Sequence, residues 1–105
     1  MDDIYRLHAE ICKTLASPIR LRIINTLRNR TMSATELIAE TKTNKVILSQ
    51  HMSLLVGKGV VQAERKGKNV FYQLSDKRII KACDIMREVL KKSLERNKNI
   101  LKKLK

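Results

Sequence analysis

Apolar positions recur along this chain with two different periods, and the change from one to the other divides it. From Ile4 to Leu15, apolar residues at 4, 7, 11 and 15 form one helical stripe. Ser17 and Pro18 end that helix and open a second, Ser17 as cap and Pro18 at the first helical position, where a missing N–H costs nothing. The second helix runs to about Asn29, with Ile19, Ile23, Ile24 and Leu27 inward and Arg20, Arg22 and Arg28 mostly outward. Ser33-Ala34-Thr35-Glu36 is a capping-box pattern and opens a third helix, to whose core Leu37 and Ile38 contribute. Thr41-Lys42-Thr43 is a turn. Asn44 then caps a fourth helix whose buried face is Leu48, Met52 and Leu55. Gly57 and Gly59 bracket Lys58, and one of them supplies a left-handed stop.

Beyond that stop the chain turns β-rich. Val60–Arg65 and Val70–Leu74 read as strands, joined by Lys66-Gly67-Lys68-Asn69, which is hairpin chemistry with a cationic tip. Ser75 and Asp76 can cap a last, long helix. Its stripe of Ile79, Cys83, Met86, Leu90, Leu94, Asn97, Leu101 and Leu104 has the period of a straight α-helix, about 3.6 residues. The expected fold is mainly α with a two-stranded β-hairpin wing, a winged helix-turn-helix: one domain over 1–105, the helix-turn-helix at 33–57 and the wing at 60–74. A small core cannot cover the stripes of both terminal helices, 1–16 and 77–105. A homodimer joined through those helices is the economical solution.

The formal charge of +13 creates a field that attracts polyanions and supplies sequence-independent affinity for nucleic acid. Tyr5, Phe71 and Tyr72 are the only aromatic residues, so the stacking platforms used by single-strand binders are scarce and duplex DNA is the expected partner. Eight Lys and Arg against Glu88 and Glu95 in the last nineteen residues read as a solvated helix face before a second DNA contact. No apolar run is long enough to span a bilayer, and the acidic start MDDIYRLHAE has no hydrophobic signal region, so a cytoplasmic location and no membrane partner are expected. A Gly-rich phosphate loop, a nucleophile elbow and a defensible triad spacing are all missing, which argues against an enzyme and against a cofactor.

LASPIRLRIINTL at 15–27, ELIAETKTNKVILSQHMSLLVGKGVV at 36–61 and NVFYQLSD at 69–76 occur in the order and spacing of a known family. On these motifs the chain resembles the arsenic-repressor-type (ArsR/SmtB) winged-helix transcription regulators, with Ser17 where an Asp is commoner. The resemblance implies a homodimeric repressor on an inverted-repeat operator, released by an inducer that the sequence does not identify. It places the recognition helix on Asn44, Lys45, Val46, Ser49 and Gln50, with His51 at a position that serves either structure or DNA. Lys45 toward guanine and Gln50 toward adenine are the expected base contacts. Thr43, Arg65, Lys66, Lys68 and Asn69 are expected to hold phosphates or reach the minor groove, which sets register more than sequence preference.

Many members of this family sense metals. The family's terminal-helix site requires His where Arg78, Val89 and Lys92 stand, and an arginine or lysine cannot replace imidazole as a zinc ligand. Its alternative site requires cysteines where the third helix has Glu36-Leu37-Ile38-Ala39-Glu40. Cys12 and Cys83 remain, on helices expected to meet at the dimer interface, with His8 one turn before Cys12. Three readings of the pair stand open: packing as small hydrophobes, a thiol switch responsive to oxidant or reactive sulfur, or a soft-metal or metalloid site of His8, Cys12 and Cys83. A non-specific architectural DNA-binding protein is the alternative to a repressor, and the ratio of specific to random DNA binding separates the two.

Overall fold

A computed structural model of the chain describes residues 2–98 and Lys102. The helices are α1 (Asp2–Leu15), α2 (Pro18–Thr26), α3 (Ala34–Thr41), α4 (Lys45–Gly57) and α5 (Arg78–Arg96), and the strands are β1 (Met32–Ser33), β2 (Val61–Lys66) and β3 (Asn69–Leu74). Three of the caps predicted from sequence form, whereas Ser75 does not cap α5, whose N-cap residue is Lys77 and makes no side-chain cap bond. Ser17 Oγ accepts from the Arg20 N–H, Asn44 Oδ1 from the Ile47 N–H, and Ser33 and Glu36 exchange both bonds of a capping box.

The sheet has three strands where two were expected. β1 pairs antiparallel with β3, Met32 opposite Tyr72 and Ser33 opposite Phe71, giving the order β1-β3-β2. A two-residue strand is too short to show a period, and Ser33 serves at once as strand end and cap of α3. The β2–β3 hairpin has a two-residue loop, Gly67-Lys68, between the paired Lys66 and Asn69, and Gly67 takes φ +63° as tight hairpin turns require.

Several boundaries differ from expectation. The strands run 61–66 and 69–74 where 60–65 and 70–74 were expected, because Lys66 and Asn69 pair and shorten the loop. α2 stops at Thr26, and Asn29 adopts the left-handed conformation at φ 55° that asparagine tolerates. α5 starts at Arg78, its first backbone N–H accepted by Asp76 Oδ1, while the Ser75 N–H bonds to the Val60 carbonyl. Of the two glycines, Gly59 (φ +74°) makes the left-handed stop and Gly57 stays helical.

The core joins Ile23 and Ile24 of α2, Leu27 at its C-cap, Leu37 of α3 and Leu48, Met52 and Leu55 of α4 with Met32, Val60, Val61, Ile80 and Cys83. Ile80, absent from the predicted stripe of α5, is buried, and Ile79 packs against the core. Further along α5, Met86, Leu90 and Leu94 are exposed; Leu101 and Leu104 lie outside the described residues. On α1, Ile11 and Leu15 pack inward while Ile4 and Leu7 stay exposed.

Candidate DNA-binding site

α3 and α4 meet through a turn built to be tight. Lys42 takes φ 55°, its N–H bonding back to the Ile38 carbonyl, and Thr41 Oγ1 donates to the Leu37 carbonyl. Thr43 Oγ1 lies 3.0 Å from Thr41 Oγ1, so this half-buried hydroxyl braces the turn besides being a candidate phosphate contact. α4 then divides into a packed and an open face, the open one including apolar Ile47, Leu54 and Val56. Leu48, Met52 and Leu55 face the core, and Lys45, Val46, Ser49 and Gln50 are exposed on the side away from it. Its four leading residues include a cation and no acid, and a helix N-terminus adds its own partial positive charge.

The wing adds a second cationic edge. Arg65, Lys66, Lys68 and Asn69 are all exposed around the Gly67-Lys68 loop. Lys66 Nζ sits 5.7 Å from the centre of the Phe71 ring, which holds its stem against the sheet.

His51 is drawn away from the exposed set. It is half-buried, with Nδ1 3.2 Å from Arg20 Nη1. Arg20 was expected to point outward; instead its Nε also donates to the Thr14 carbonyl at the end of α1. The helical period places Arg20 on the polar side of α2, but only the packed neighbours give its guanidinium partners, and no pattern within α2 signals that.

The acidic residues near the family's sensor positions are held by arginines. Asp76 accepts bidentately from Arg78, which lowers its pKa to about 2. Asp84 accepts two bonds from Arg28, at 2.6 and 2.8 Å, and one from Arg87, and these hold its carboxyl far below the usual carboxylate range. Within one protomer, no three His, Cys, Asp or Glu side chains among the described residues converge on a point. His8 and Cys12 are exposed on α1, Cys83 is in the core, and both thiols are free. No helix among the described residues is long and apolar enough to cross a membrane.

A polar-faced helix set in a tight helix-turn-helix beside a basic hairpin defines a winged helix-turn-helix protein. The family model for bacterial regulatory proteins of the arsR family matches residues 17–63. The regulator Rv0081 of Mycobacterium tuberculosis is 34% identical over 104 residues, covering 98% of this chain and 91% of its own. Its crystal structure superposes with a TM-score of 0.81, at 35% identity over 90% of this chain and 95% of that one. The chain belongs to the ArsR/SmtB family of transcription regulators. The M. tuberculosis repressor SmtB is 36% identical over 67 residues, 64% of this chain, which spans half of that protein's length. A homodimeric winged helix-turn-helix domain from Mycobacterium bovis, 22% identical, shares the fold at a TM-score of 0.80 over 90% of this chain and 88% of its own. Of these relatives, Rv0081 is a helix-turn-helix transcriptional regulator and SmtB a transcriptional repressor.

Proposed function

We propose that this protein is a cytoplasmic, homodimeric repressor that recognises an inverted-repeat operator in double-stranded DNA. The observation that carries the reading is the division of α4, with Lys45, Val46, Ser49 and Gln50 exposed opposite a fully packed face. A helix of this kind presents side chains of hydrogen-bonding length to major-groove base edges. Arg65, Lys66, Lys68 and Asn69 then hold the adjacent backbone, and Asn44 fixes the start of the helix. A second copy of the chain covers Ile4, Tyr5 and Leu7 of α1 and Ile85, Met86, Val89, Leu90 and Leu94 of α5, all of which are exposed in the protomer.

The release signal in this reading is a thiol-reactive oxidant or reactive sulfur species acting at Cys12 and Cys83. Its support is placement: the two free thiols lie on the two helices that carry the uncovered apolar surface, and Cys12 is open to reagents. A bridge between them would reset the relative placement of the two recognition helices.

The test is selection and sequencing of DNA fragments by the purified protein, then competition against random DNA at fixed salt. A repressor prefers its operator by about a thousandfold or more. Near-uniform binding with a steep salt slope marks an architectural protein and overturns the proposal. Cys12→Ser and Cys83→Ser each abolish the loss of operator binding caused by diamide or polysulfide; a double variant that still responds like wild type removes the thiol signal and leaves the repressor intact.

A further inference from the structure

Arg20 stands where three helices meet. It is the third residue of α2, and its backbone N–H is already satisfied by Ser17 Oγ. Its side chain leaves its own helix and ties two others. Nε donates to the Thr14 carbonyl in the last turn of α1, one of the orphan acceptors at a helix C-terminus, where a cation is also favoured by the helix dipole. Nη1 lies 3.2 Å from Nδ1 of His51, in the middle of α4.

The chemistry of that last contact has one solution. A guanidinium stays protonated and has no acceptor, so it can only donate. His51 Nδ1 must therefore offer its lone pair, which puts the ring proton on Nε2 and makes the imidazole neutral. A second tie joins the same helices further along: Glu10 of α1 accepts from Lys58 Nζ at 3.2 Å, at the end of α4. His51 and Lys58 are seven residues apart, two turns on one face.

Two ties on one face limit the roll of α4 about its axis. Side-chain tips sit about 5–6 Å from a helix axis, so a roll of ~20° moves them by about 2 Å. That exceeds what a hydrogen bond to a base edge tolerates.

We infer that Arg20 is a positioning residue for sequence readout: through the Nδ1 acceptor of His51 it locks the roll of α4 against α1. The inference rests on α4 being the recognition helix. The groups that make the lock are Arg20 from α2, His51 in the middle of α4, Glu10 from α1 and Lys58 at the C-cap of α4. Without the Arg20 tie the far end of the helix is held only by the exposed Glu10–Lys58 pair, and operator preference falls while non-specific attraction to DNA stays.

The experiment measures the ratio of operator to random-DNA affinity at about pH 8 and fixed salt, where imidazoles are neutral. It compares wild type with Arg20→Met and with His51→Asn, whose amide oxygen can replace the Nδ1 acceptor. Arg20→Met loses about tenfold of the ratio, comparable to one lost base contact, with random-DNA affinity nearly unchanged. His51→Asn retains most of the ratio, and His51→Leu, which has no acceptor, loses it as Arg20→Met does. A His51→Leu variant or an Arg20→Met variant as selective as wild type overturns the inference. Ring-nitrogen NMR of wild type without DNA supplies an arm that needs no variant to fold: a proton on Nε2 is expected, and a proton on Nδ1 at about pH 8 overturns the lock. If wild type selects no operator, α4 as recognition helix fails instead, and the NMR arm still reads the lock.

Discussion

α4 and α5 carry apolar stripes of the same helical period and meet opposite fates. Leu48, Met52 and Leu55 of α4 are 2, 2 and 0% exposed, whereas Met86, Leu90 and Leu94 of α5 are 68, 55 and 43% exposed. The first set is closed off by α2, α3 and the sheet of its own protomer. The second lies beyond the last core contacts of α5 at Ile80 and Cys83. A period identifies a face and says nothing about what covers it. Where the chain's own elements run out, the same pattern becomes an association surface.

The largest effect tests the covered stripe. Leu55→Ala removes a fully buried side chain and costs about 2–5 kcal/mol in urea denaturation. Leu90→Ala, at protein concentrations where the chain is monomeric, leaves the unfolding midpoint nearly unchanged. Equal costs for the two substitutions would break the contrast.

The uncovered stripe is tested next by Met86→Glu combined with Leu90→Glu. Sedimentation is expected to shift from dimer to monomer with the helical circular dichroism retained. Operator affinity falls about a hundredfold or more, because the second half-site no longer binds intramolecularly. A double variant that remains dimeric places the interface elsewhere.

Within α4 the exposed face predicts a smaller and more selective loss. Gln50→Ala or Lys45→Ala lowers discrimination between operator and random DNA by about 1–3 kcal/mol each. Lys68→Ala at the wing weakens all DNA alike and reduces the salt slope by about 1. Reversed signatures, uniform loss from Gln50 and selective loss from Lys68, would exchange the roles of helix and wing.

The smallest effect concerns the junction between the covered and uncovered parts of α5. Asp84 is held ionised by Arg28 and Arg87, so its folded pKa lies below that of the unfolded chain. That stabilisation is fully present above the unfolded value, about 3.9, and is lost as pH falls through the folded one. Asp84→Asn therefore flattens part of the stability loss below about pH 4, measured as the difference between wild-type and variant melting curves. Identical pH profiles would show that the surface triad does not couple the turn after α2 to α5.

Much of the fold was legible because it rests on local chemistry. Ser17, Ser33 and Asn44 cap the helices they precede in sequence, and Gly67 sets its own turn. The exposed face of α4 follows from its period, since Leu48, Met52 and Leu55 leave Lys45, Ser49 and Gln50 on the other side. β1 was not legible: two residues carry no alternation, and Met32 becomes a strand because β3 lies beside it. Ile80 escaped for a related reason, as the start of α5 packs on the core with a wider face than one stripe describes.

By itself, the sequence determined which segments are helical, where α2, α3 and α4 start, the main apolar stripe of each helix, and that the chain is strongly cationic. These depend on neighbours within a few residues and on summed charge. Only the tertiary structure decided that Arg20 reaches both Thr14 and His51, that Arg28 closes on Asp84, and that one apolar stripe is filled while another is left open. Those outcomes join side chains up to 56 positions apart, and local propensity holds no record of which distant group will arrive.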